Sequence, residues 1–394
     1  MPAVRRGGTR ALIAVPLVVL STVAPLHAQE RGGPRARELG VAFPGAPGPY
    51  NAITDVAGVL VGHATLIAGE GTLVVGRGPV RTGVTAVLPK GKKWEPVFAG
   101  HYALNGFGDM TGTHWVDEGG LLGGPVMITN TYSVGAVRDA VNSWFQEVLK
   151  QDIPWHQPVV GETWDGFLND IAGLHVRKEH AFAALLAAND GPVAEGNVGG
   201  GTGMVTHGFK GGIGTSSRIV EAGGRRFTVG ALVQANHGSR EGLVIAGVPV
   251  GREMPEDPPT PEAKPAKGRD GSIIVVIATD APLLPHQLTR LARRVPLGIA
   301  RVGGTGANGS GDIFIAFSTA NPGAARETGA AALEWLPNGD VSPFFTATIE
   351  ATEEAIVNAM VAAETMTGID GNTVHRLPHE RLREILARYG RLGR

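Results

Sequence analysis

Between residues 251 and 271 the chain reads GREMPEDPPTPEAKPAKGRDG, with five prolines, mixed charge and nothing that can pack a core. Such a stretch belongs outside, as an exposed and partly extended loop of the kind that tolerates cutting. It gives way at once to SIIVVIATD, an apolar strand whose first residue is Ser272. The fold must therefore bury a strand where the chain arrives from solvent, with a hydroxyl at the boundary. Taken alone, Ser272 reads as an ordinary turn or strand-edge residue. Gly271 opens a second reading, because a glycine permits the backbone strain that exposes its carbonyl to attack by the next hydroxyl. Attack gives an ester, and hydrolysis frees an amine at Ser272. An α-amine with a pKa of about 7.7–8.0 can serve as base for its own hydroxyl.

Upstream, GVLVGHATLI, GTLVVGRGPV and GVTAVLPKG alternate β-branched residues with glycine turns and predict short strands. GAVRDAVNSWFQEVLKQ places Val137, Val141, Trp144, Phe145 and Leu149 at helical spacing, and IAGLHVRKEHAFAALLAAND predicts a second helix. Strands return in RRFTVGALVQAN and GLVIAGVPVG. Beyond Ser272 come a helix around HQLTRLARR, the strand DIFIAFSTA and a long helix over residues 344–366. Glycine, 59 of 394 residues, is about twice its usual share, yet it follows no strict period, which excludes collagen. Strands alternating with pairs of helices predict a layered α+β sandwich rather than a repeat array.

Several chemistries drop out. Cysteine is absent, so thiolate catalysis, disulfides and Cys-ligated metal are excluded. A net charge of -1 without a basic block leaves no footprint for nucleic acid. GTGANG at 304–309 precedes a strand where a dinucleotide fingerprint needs a helix, and GNVGGGTG at 196–203 lacks the Lys-Ser or Lys-Thr of a P-loop. His375 and His379 stand four apart, but Arg376 replaces the zincin glutamate and Pro378 disturbs the helix; His175 and His180 fall five apart on one expected helix. No metal or other cofactor is expected. No Gly-x-Ser-x-Gly elbow occurs. At the N-terminus, Arg5, Arg6 and Arg10 precede an apolar run over 11–26 and a Leu-His-Ala ending at Ala28. That is the layout of a signal peptide over residues 1–28, and it predicts a periplasmic or secreted protein with no membrane attachment after cleavage.

ELGVAFPGAPGPYNAITDVAGVLVGHATLI, GETWDGFLND, GNVGGGTGM, GFKGGIGTSSR, DGSIIVVIATDAPLLPHQLTRLARR and GSGDIFIAFSTAN occur in that order. In these blocks the chain resembles the L-aminopeptidase D-Ala-esterase/amidase family, which includes the β-peptidyl aminopeptidases, over nearly all of the length after the leader. The resemblance implies a four-layer αββα sandwich like that of the N-terminal nucleophile (Ntn) hydrolases, with different connectivity. It implies one catalytic domain over 29–394, cut at the Gly271-Ser272 bond into an α chain (29–271) and a β chain (272–394). Ser272 is then the nucleophile. Ser310 and Asp312 fall where relatives have a serine and an acidic residue that orient and activate it, with Glu in some relatives at the position of Asp312. Asn236 matches the asparagine whose amide donates to the oxyanion, and Glu162 the acidic residue that pairs with the substrate's free ammonium. Trp164 sits where a relative has a tyrosine that also serves the oxyanion, and an indole N–H can donate as well. Trp155 is expected to wall the pocket. The expected partners are a small peptide, amide or ester substrate and further copies of the αβ unit in a homo-oligomer.

Two other readings fit less of this. An acyltransferase of the ornithine acetyltransferase type would carry Thr as nucleophile, and a non-catalytic binding protein would keep its chain whole.

Overall fold

A computed structural model describes residues 33–151, 156–255, 271–326 and 328–393. The leader at 1–28, Trp155 and residues 256–270 of the proline-rich stretch lie outside the described residues.

The first half carries strands β1 (Leu60–Ala68), β2 (Val80–Lys92), β3 (Val97–Ala103), β4 (Leu121–Leu122), β5 (Val126–Asn130) and β6 (Val159–Thr163). Helices α1 (Thr113–Gly119), α2 (Val134–Glu147) and α3 (Lys178–Ala187) accompany them. A small hairpin, β7 (Val205–Thr206) and β8 (Phe209–Lys210), leads into β9 (Gly212–Ala222), β10 (Arg225–His237) and α4 (Val250–Glu253). Then follow β11 (Gly271–Thr279), α5 (Pro285–Ala292), α6 (Val295–Arg301), β12 (Gly311–Ser318), α7 (Ser342–Val361) and α8 (His379–Arg388).

Among the described residues two large sheets result, a four-stranded one in the order β1-β2-β5-β6 and a six-stranded one in the order β4-β3-β12-β11-β10-β9, beside two small two-stranded ones. Side chains of a strand alternate between faces, and β11 shows what that does here. Ile274, Val276 and Ala278 enter the core between the sheets beside Val126, Ile128 and Val159 of the smaller sheet. Ile273, Val275 and Ile277 enter a second core under α5, α6, α7 and α8. Behind the smaller sheet, Val84, Ala86, Met127 and Val160 meet α2 and α3. Helix, sheet, sheet and helix thus make four layers. β11 is apolar on both faces because both are covered, as a central strand with a parallel neighbour requires. α7 lies so close to β9 that a Cβ on Gly214 would collide with the Ala355 carbonyl, which is why a glycine stands there.

Two apolar runs expected as strands are not. GTLVVGRGPV forms a tight loop with Gly71 and Gly76 at positive φ and Val74 and Val75 exposed. In GLVIAGVPVG, Ala246 and Gly247 adopt positive φ between Ile245 and Val248, so the run turns back on itself. Leu243, Ile245 and Val248 reach the helix-covered core from that loop, and Val250 from the start of α4; burial, not strand pairing, accounts for their apolar character. The second helix begins at Lys178, so His175 precedes it, with Nε2 2.8 Å from the Asp170 carboxylate, while His180 lies inside it.

Candidate active site

Ser272 is the second residue of β11. It stands opposite Asn236 of β10 in the antiparallel ladder and opposite Gly311 of β12 in the parallel one. Residues opposite one another carry side chains to the same face, so the Ser272 hydroxyl and the Asn236 amide share one side of the sheet. Gly271 has φ +81°, and a Cβ there would collide with the Asn236 carbonyl. Only glycine fits that position.

Asn236 is held at both ends. Its Oδ1 accepts the Val205 N–H at 2.8 Å, and its Nδ2 donates to the Trp164 carbonyl at 3.0 Å. Those two bonds fix which end of the amide is nitrogen. One Nδ2 proton is used by Trp164, and the amide has a second to offer. Trp164 therefore meets Asn236 through its backbone, while its indole lies along Gly166, where a Cβ would come within 2.6 Å of Cε2.

Ser310 and Asp312 bracket Gly311. The Ser310 hydroxyl donates to Asp312 Oδ1 at 2.6 Å, and Asn105 Nδ2 donates to the other carboxylate oxygen at 3.0 Å. The aspartate reaches its serine without the extra methylene of a glutamate. Burial pushes the Asp312 carboxyl above its usual range, against the hydrogen bonds from Ser310, Asn105 and the Ile273 backbone.

Glu162, on β6, is buried. Its Oε1 accepts the Asp109 N–H at 2.9 Å and its Oε2 accepts the Thr131 hydroxyl. Burial raises its pKa above the ordinary 4.5 of a glutamate; the bonds from Thr131 and Asp109 oppose the rise, and the Asp109 charge adds to it. Among the described residues it forms no ion pair with a lysine or arginine. The approach of Glu162 to β12 depends on two glycines. A Cβ on Gly311 would lie 2.7 Å from the Gly108 Cα, and one on Gly108 would lie 3.2 Å from Glu162 Oε1. The loop over 105–109 thus crosses the start of β12 and holds both carboxylates, Asp312 through Asn105 and Glu162 through the Asp109 N–H.

Ser272, Asn236, Ser310 and Asp312 therefore lie at one end of three adjacent strands, Ser272 and Asn236 on one face and Asp312, opposite Ile273, on the other, with Glu162 facing this end across the Gly108–Gly311 contact. Asn105, Thr131 and the Val205 N–H complete the site. Sequence reading misses all three. Asn105 lies in NGFGD, where the alternating glycines signal a turn and nothing signals its partner. Among the described residues no cluster of three His, Asp or Glu gathers at metal-binding distance.

The profile of peptidase family S58 matches residues 51–374. The chain belongs to peptidase family S58. The beta-peptidyl aminopeptidase of Sphingosinicella microcystinivorans is 57% identical over 372 residues, 92% of this chain and 94% of that protein. The structure of the L-aminopeptidase D-Ala-esterase/amidase from Ochrobactrum anthropi, described as a prototype for the serine aminopeptidases and a new variant among the Ntn hydrolase fold, superposes with a TM-score of 0.85. It is 51% identical, over 92% of this chain and 100% of that one. A beta-aminopeptidase from Burkholderia sp. superposes with a TM-score of 0.82 at 48% identity, over 90% and 99% of the two chains. The S58 chain is thus an aminopeptidase, a hydrolase of peptide bonds, on an Ntn-hydrolase-like α+β sandwich.

Proposed function

We propose that this S58 chain is exported, cuts itself at Gly271-Ser272, and as an N-terminal nucleophile serine aminopeptidase releases the first residue of small peptides, amides or esters. The observation that carries the reading is the pairing of Ser272 with Asn236 at the start of β11, immediately after a glycine held in the left-handed region. In self-cleavage the Ser272 oxygen bonds to the Gly271 carbonyl carbon, the peptide C–N bond breaks, and water hydrolyses the ester to a Gly271 carboxylate and a free Ser272 amine. In turnover that amine takes the hydroxyl proton as the oxygen attacks the substrate carbonyl. The second Asn236 N–H meets the developing oxyanion. The leaving amine departs with the proton, and water, activated by the same amine, hydrolyses the acyl-enzyme. Ser310 and Asp312 hold the start of β12 beside the nucleophile, and the leader over 1–28 would direct export.

Glu162 supplies the exopeptidase specificity. A buried carboxylate bonded only to neutral donors is incomplete without a cation, and a substrate ammonium completes it. The names of the relatives, beta-peptidyl aminopeptidase and beta-aminopeptidase, favour a β-aminoacyl group on that ammonium. Glu162→Gln is expected to lower kcat/KM on an aminoacyl p-nitroanilide by about 10- to 150-fold, the worth of one charge-assisted contact. Self-cleavage should survive, because the precursor presents no ammonium at residue 271. N-acetylated substrate should fail with wild type, and equal cleavage of both substrates would defeat the role. The pH dependence has a definite sign. Glu162 binds the ammonium only as the anion, and burial raises its pKa, so affinity for a competing primary amine should fall as pH drops through a value above 4.5. The dependence should flatten in Glu162→Gln.

Cleavage would leave the chains interlocked. β11 and β12, downstream of the cut, lie in the sheet between β10 and β3, upstream of it. Buried polar contacts cross the same divide: Glu354 of α7 takes Arg218 and Arg37 at 2.8 Å each, and Asn358 bonds the Ala36 N–H and the Thr215 carbonyl at 3.0 Å. The two fragments are expected to co-elute on size exclusion in native buffer and to part only in denaturant. Separation without denaturant would contradict the interlocking. A homo-oligomer of such αβ units is part of the same proposal, and light scattering measures it.

A further inference from the structure

Lys210, at the end of β8, is fully buried, and among the described residues no carboxylate pairs with it. Its Nζ donates to three backbone carbonyls, those of Met204 at 2.8 Å, Gly211 at 2.9 Å and Gly201 at 3.4 Å. Three acceptors match the three N–H groups of an ammonium. As a mere space filler, an ammonium is a poor choice, because burying charge against neutral groups is unfavourable where methionine would pack freely. Burial alone pulls its pKa from 10.5 to about 7.

What the lysine touches supplies the reason. The Met204 carbonyl that accepts its proton belongs to the same peptide unit as the Val205 N–H, and that N–H donates to Asn236 Oδ1 at 2.8 Å. The ammonium, the Met204–Val205 peptide and the Asn236 amide therefore form one chain of aligned dipoles ending in the Nδ2 protons. Bonds in such a chain polarise one another, most strongly where water is excluded and one member is charged.

We propose that Lys210 is a positioning residue for the oxyanion site: its ammonium fixes and polarises the Met204–Val205 peptide, which fixes and polarises the Asn236 amide as donor to the oxyanion. This rests on the assignment of Asn236 made under the proposed function. The effect grows as negative charge develops on the substrate oxygen, so it belongs to kcat. Ground-state binding runs through Glu162 on β6, in the other sheet, and is left alone.

The test uses the full chain as wild type, Lys210→Met, Lys210→Gln and Asn236→Ala. Steady-state kinetics on an aminoacyl p-nitroanilide are combined with inhibition by the matching amino acid, which reads the amine site, and by its aminoalkylboronic acid, whose serine adduct places an oxygen in the oxyanion position. Lys210→Met should lose about tenfold in kcat and in boronate affinity together, with KM and amino-acid affinity within about twofold. Lys210→Gln, which keeps donors but not charge, should fall between. Unchanged kcat, or KM and amino-acid affinity falling in step with kcat, would overturn the relay. If Lys210→Met does not fold, Lys210→Gln decides. The wild type labelled with 15N at lysine gives an independent reading: the buried Nζ resonance should shift on boronate binding and stay in place with the amino acid, and no shift with either would also overturn it. Asn236→Ala with full kcat would defeat the oxyanion assignment itself. Loss of kcat there, with both Lys210 variants at wild-type rate, would defeat the relay alone.

Discussion

Ser272→Ala should yield one intact chain that hydrolyses nothing. In the proposed function one oxygen serves twice, first on the Gly271 carbonyl and then on the substrate, so a single atom's removal blocks both. Without processing there is also no α-amine at residue 272 to act as base. Loss of a catalytic serine in hydrolases costs on the order of 10^6 in kcat, so the variant should fall below detection. The fold should survive, because the strand's hold comes from Ile273 to Ile277 in two cores rather than from the hydroxyl. Electrophoresis and a p-nitroanilide assay on the same sample read both effects. A processed Ser272→Ala, or an active one, would remove Ser272 from the mechanism.

Asn236→Ala should lower kcat by about 10²- to 10³-fold, the usual effect of deleting one oxyanion donor. KM should change little, since in the proposed function the ammonium stays on Glu162. The structure adds a reason to expect the upper end. The truncation also strands the Val205 N–H and the Trp164 carbonyl, which now meet through this amide, and so loosens the site around the missing donor. Asn236→Asp keeps the size and should do no better, because a carboxylate would repel the oxyanion. A kcat within threefold of wild type in either variant would show that the oxyanion is held elsewhere.

The fold was legible where periodicity and burial agree. β11, β12 and α2 fall where the β-branched runs and the helical stripe put them, because each buries the face its pattern defines, while α7 starts where expected but stops at Val361, five residues short. Residues 71–78 and 243–250 depart from their strand pattern because an apolar run is the same text whether it pairs as a strand or tucks a loop into the core; positive φ at Gly76, Ala246 and Gly247 decides, and sequence does not display it. In the site, Gly271-Ser272 could be singled out from composition and spacing, while Asn236, Glu162, Ser310 and Asp312 came from resemblance alone. What holds them could not come from either. Asn105 reaches Asp312 across 207 residues, and Val205 reaches Asn236 across 31. Contacts at such separations leave no local pattern.

Whether this chain makes its own nucleophile can be read from the mass and N-terminal sequence of the purified wild type. Two chains are expected, the smaller beginning Ser-Ile-Ile-Val-Val-Ile-Ala-Thr-Asp at Ser272. One intact chain with full activity, or a small chain beginning at any other residue, would contradict it.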